Sequence, residues 1–161
     1  MKIDKPVRYI GHELNSVVKN PEDVDIRFAM CFPDVYEIGM SHLGIQILYD
    51  MFNRREDVYC ERVYSPWPDL HQIMKEQHIP LFGLESQEPL THFDFIGITI
   101  QYEMCYTNIL QILDLAQIPL LAKDRELKQF LNGNLLRNRA VWVTSIFNTF
   151  SLSLQTGYLD V

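Results

Sequence analysis

Two rhythms of apolar and polar positions alternate along this chain, and they predict alternating strands and helices. DIRFAMCF, residues 25–32, is a nearly unbroken apolar run of strand length, closed by Pro33. Behind a Gly-punctuated loop, residues 41–53 carry Leu43, Ile47, Leu48 and Met51 at helical spacing, with Ser41 placed to cap the helix. Residues 57–64, DVYCERVY, are rich in Val and Tyr and read as a second strand. Pro66 and Pro68 break regular structure in SPWPDL, and residues 68–78 then suit a helix with Pro68 in its first turn and Leu70, Ile73 and Met74 inward. IPLFGLES reads as a short strand or extended segment. DFIGITI, residues 94–100, is continuously apolar, as a strand covered on both faces should be. Tyr106, Ile109, Leu110, Leu113 and Leu115 predict a helix ending near Ala116, and IPLLA begins one more strand.

Strands separated by helices of about a dozen residues imply crossover connections and a parallel sheet. No Asn-Gly or Asp-Gly turn joins two strand-like runs, so hairpins are not indicated. The expected class is α/β: a Rossmann-like, doubly wound parallel sheet, incomplete at about four to five strands. The tail departs from this pattern. From Leu127 onward the single acid is Asp160, while the preceding residues hold the other 20 of 21. Two readings of the tail stand: AVWVTSIF supplies a missing strand, or the segment is a non-native end on a truncated domain.

Composition narrows the partners. A formal net charge of −7 argues against a nucleic-acid surface, which needs clustered Lys and Arg. No run approaches ~20 apolar residues, so no membrane span is expected, and the N-terminus lacks the apolar core of a secretory signal. The expected compartment is the cytoplasm. Cys31, Cys60 and Cys105 are odd in number and widely spaced, which fits buried small hydrophobes rather than disulfides or a zinc site.

In a doubly wound sheet, ligands sit beyond the carboxyl ends of the strands. Two loops lie there. The first, residues 33–44, holds Asp34, Tyr36, Glu37, Gly39, Ser41, His42 and Gly44; its glycines permit close backbone approach, and the helix start near Ser41 offers free amides. The second holds Gln101, Tyr102 and Glu103, directly after the most apolar strand. Asp34 and Glu37 read as loop caps or as ligand contacts, and His42 as a helix-surface histidine or an axial metal ligand. The alternative for both loops is that they simply turn the chain. Neither GxGxxG, Walker A, HExxH nor GxSxG occurs. A phosphate receiver of the same topology would need an Asp after its third strand and a Lys after its fifth, and neither is found in place.

From Lys5 to Arg125 the chain resembles the N-terminal region of radical SAM proteins in which a cobalamin-binding-like domain precedes the barrel. PDVYEIGMSHLG, ERVYSPWPD and QYEMCYTN carry the resemblance. It implies a Rossmann-like domain, residues 25–123, behind an N-terminal extension, 1–24, and ahead of an atypical tail, 124–161. It implies cobalamin as a cofactor at Asp34, Tyr36, Glu37, Gly39, Ser41, His42, Gln101, Tyr102 and Glu103, and a radical SAM barrel as partner. The CxxxCxxC motif for the iron-sulfur cluster that binds S-adenosylmethionine is absent, so both groups are expected only in a region missing from this chain. The cobalamin motif DxHxxG is not met either: Met40 stands for its Asp, so a corrinoid here would lack a histidine ligand from this domain. The alternative function is a non-enzymatic domain that docks on a barrel or partner without cofactor. Self-association through the exposed sheet edge is expected from the missing strand.

Overall fold

The computed structural model of the chain describes residues 3–121 and 140–145. Its sheet is built from β1 (Ile26–Phe32), β2 (Val58–Tyr64), β3 (Phe95–Ile100) and β4 (Ala140–Ser145), all parallel, in the order β2-β1-β3-β4. The helices are the single turn α1 (Tyr36–Gly39), α2 (Leu43–Asn53), α3 (Pro68–Gln77) and α4 (Tyr106–Leu115). The expected α/β class with a Rossmann-like open sheet holds. The order reverses between β1 and β3, because β2 was added on one side of β1 and β3 on the other. That reversal is the switch point at which open α/β sheets leave a crevice.

Alternation along the strands builds two cores. Ala29, Cys31, Val63, Ile96 and Ile98 face Leu70 and Met74 of α3 and Ile109, Ile112 and Leu113 of α4. Met30, Phe32, Cys60 and Tyr64 face Ile45 and Tyr49 of α2 on the opposite side. Gly97 opposes Met30 in register, and a Cβ there would meet the Phe28 ring at 2.7 Å. Its missing side chain is what lets that ring lie across β3.

Two expectations need correction, the cap of α2 and the strand at IPLLA. The cap of α2 is His42, whose Nδ1 accepts from the Ile45 amide at 3.3 Å; the Ser41 hydroxyl instead donates to the carbonyls of Ile38 and Glu37. Of the apolar residues at helical spacing, Leu43, Ile47 and Met51 face outward and Leu48 packs on the core, while Ile45, Tyr49 and Asn53 are buried. α2 is apolar on both sides, so spacing alone could not choose its inner face. IPLLA makes no strand over its described residues; Pro119 has no amide hydrogen to give a ladder, and Leu120–Leu121 bend. The fourth strand comes from AVWVTS in the tail. IPLFGLES is extended but makes only one isolated bridge, Phe82 with Pro89.

Candidate functional site at the carboxyl edge

Asp34 ties three strand ends together. Its backbone carbonyl accepts from the Ser65 amide beyond β2 at 2.9 Å, and its carboxylate Oδ2 accepts from the Tyr102 hydroxyl beyond β3 at 3.2 Å. Oδ1 accepts from the Val35 amide at 2.7 Å, turning the chain into α1. Asn108, in the first turns of α4, donates to the Pro33 carbonyl at 2.8 Å. The loops after β1 and β3 are therefore one joined ledge across the switch point. The thiol of Cys105 and then the carboxylate of Asp34 push the Tyr102 phenol up to about 12, which keeps it a proton donor. Gln101 donates to Thr99 Oγ1 at 2.8 Å and leaves its own Oε1 buried without a partner. Glu103 is exposed.

The other candidates turn away from that ledge. Tyr36 packs edge-on against Tyr64, ring centroids 5.4 Å apart, and its hydroxyl donates to Glu13. Glu37 accepts from Arg8 Nη2 at 2.7 Å and lies 3.8 Å from Lys5; the Arg8 guanidinium holds its carboxyl below the ordinary value. Gly39 is closely approached, as its type allows, but by a side chain of the domain itself: a Cβ there would meet the Tyr64 ring at 2.3 Å. His42 is spent on its cap and lies 5.2 Å from the Phe32 ring.

A charged network missed by sequence reading lies beneath Tyr36. Arg62 Nε donates to Glu85 Oε1 at 2.7 Å, its amide to Glu85 Oε2 at 2.8 Å, and its Nη1 to Glu13 Oε2 at 2.6 Å. On the other face of the same strand Glu61 accepts from Arg27 at 2.9 Å and from the Ser86 amide at 2.9 Å. Two adjacent opposite charges inside the apolar run VYCERVY were the available signal. Charges in mid-strand survive burial only when paired, and here Arg62 pairs with Glu85 while Glu61 pairs with Arg27 of β1.

Exposed apolar side chains line the ledge beside the exposed Glu103. Ile38 is 51% exposed, Met40 38%, Tyr102 47% and Met104 80%. Among the described residues no group of three or more His, Cys, Asp or Glu could hold a metal ion, and no helix is long and apolar enough to cross a membrane. Cys31, Cys60 and Cys105 are all buried free thiols, and burial pushes the first two well above their ordinary range. Such thiols do not form a cluster-binding set. The Nδ1 of His42 already serves as an acceptor at the helix start.

Residues 44–131 match the family described as radical SAM proteins, N-terminal. Neither a curated protein nor a solved structure matches the chain. The matched stretch contains β2, α3, β3 and the whole second loop, and the first loop ends where it begins. Because it spans more than half of the 161 residues, the chain belongs to the N-terminal family of radical SAM proteins.

Proposed function

We propose that this chain is the docking domain of a radical SAM protein, seating its carboxyl sheet edge against the part that carries the iron-sulfur cluster and S-adenosylmethionine. The exposed apolar side chains on an otherwise bridged and rigid ledge carry this reading. A catalytic edge would gather polar groups around an open crevice, whereas Asp34, Tyr102 and Asn108 spend theirs on holding the two loops together. Large apolar and aromatic side chains at a fixed ledge are the makings of an interface centre. The chain itself supplies no reacting group; it positions. The buried free thiols favour a reducing, cytoplasmic setting.

The test mixes the chain with the separately produced radical SAM portion of a family member and measures association by light scattering. Met104→Ser with Tyr102→Ala should weaken association roughly tenfold or more. Unchanged association would remove the docking ledge.

The switch-point position favours one further reading, a corrinoid lying on the ledge without a histidine from this domain. It predicts that hydroxocobalamin is retained through gel filtration with an altered absorbance spectrum. An unaltered spectrum and no retained corrinoid dispose of it and leave docking intact.

A further inference from the structure

Glu13 occupies a receptor that the body of the domain builds without it. Arg62 is 9% exposed, stacked over the Tyr49 ring at 4.9 Å, and gripped by Glu85 at both Nε and its amide. Its guanidinium is therefore oriented before Glu13 arrives. Nη1 then meets one oxygen of Glu13, and the Tyr36 hydroxyl donates to the other. Burial pushes the Glu13 carboxyl up, but these two hydrogen bonds and the Arg62 charge outweigh it and leave the carboxyl below its ordinary value.

The receptor has more donors than Glu13 uses. Arg62 Nη2 and Tyr64 Oη are buried and unpartnered, and so is Arg8 Nη1. All three residues are less than a tenth exposed and line one small cavity, about 20 Å³ in volume, beside the receptor; its other walls include Tyr9, Pro66, Leu70 and Leu84 rather than Glu13 or Tyr36. That is room for a single water. Glu13 is the more exposed half of the pair. It comes from the N-terminal segment, keeps 28% of its side chain exposed, and is followed by Leu14, which packs on nothing at 101% exposure.

We propose that Arg62, Tyr36 and Tyr64 form a binding site for a small aliphatic carboxylate, and that Glu13 is its internal stand-in. Exchange of one carboxylate for another leaves the charge around the buried Arg62–Glu85 pair unchanged, so neither ion is stranded. The site is separate from the docking ledge and does not rest on that reading.

The full chain tests this with acetate as the probe, against sodium chloride at equal ionic strength. Glu13→Ala should melt lower than the parent, and acetate should restore the loss and give saturation-transfer NMR signals, while chloride does neither. The parent, where acetate must displace Glu13, should bind it roughly tenfold or more weakly than Glu13→Ala does. Adding Tyr36→Phe to Glu13→Ala should weaken acetate roughly tenfold. If Glu13→Ala does not fold, Glu13→Gln keeps the shape but pairs weakly, and it too should bind acetate more tightly than the parent does. Acetate acting no differently from chloride in whichever variant folds, or binding the parent equally well, would overturn the site.

Discussion

At the scale of single residues, the first loop shows how one residue type can be chosen for a different neighbour than sequence predicts. Gly39 reads from sequence as a point of close approach, and its lack of a Cβ admits the Tyr64 ring. Its φ is not in the left-handed region, so the cost of a side chain here is steric alone. Gly39→Ala should destabilise the protein by about 1–3 kcal/mol, as over-packing against a buried ring does, measured by urea unfolding. A variant as stable as the parent would mean that Tyr64 can move aside. Asp34 and Tyr102 were legible as residues of two edge loops, but not as bonded partners. Their 68-residue separation is bridged only once β1 and β3 lie side by side.

Elements were read well where one periodicity dominated. β1, β3, α3 and α4 lie within a residue or two of expectation, since a strand covered on both faces and a helix starting at Pro68 leave few alternatives. α2 was placed correctly, but its spacing left the inward face open. Its outer stripe of Leu43, Ile47 and Met51 competes with the inner set of Ile45, Tyr49 and Asn53, and only the packing of Tyr49 against Arg62 and the sheet decides between them. A paired substitution reads this directly. Ile45→Ala should cost about 2–5 kcal/mol through a core cavity, whereas Ile47→Ala should stay within about 0.5 kcal/mol. Equal losses in chemical denaturation would contradict the orientation of α2. β2 is an edge strand, and its charges Glu61 and Arg62 point to opposite faces because strands alternate. Glu85 pairs with Arg62 and the Ser86 amide donates to Glu61, whose charge partner is Arg27 of β1, so the segment 84–88 covers that edge; the Leu84 amide donates to the Arg62 carbonyl at 2.8 Å.

For the molecule as a whole, the N-terminal segment is pinned to the domain by charge. Arg8 meets Glu37, and Glu13 meets Tyr36 and Arg62, with Glu85 facing Arg62 from the other side and the Tyr64 phenol beside it. The pH sign follows from Glu13. Its folded-state pKa lies below the unfolded value, so its contribution is complete above 4.5 and is lost as pH falls through the folded value. The stability difference between the parent and Glu13→Gln should therefore be present near neutral pH and close well below 4.5. Thermal melts across that range check it, and a difference that persists in acid would show that Glu13 acts by shape rather than by charge.

Taken alone, the sequence determined the α/β class, the parallel alternation, the two loops at the carboxyl edge and the lack of a local cluster motif. Each depends on residues close together in the chain, where periodicity, proline and glycine act locally. The tertiary structure alone decided that β4 comes from the tail, that α2 buries Ile45 rather than Ile47, and that Glu13 reaches Arg62. Those outcomes depend on contacts between residues tens of positions apart, whose energies exist only after the strands have been ordered around β1 and β3.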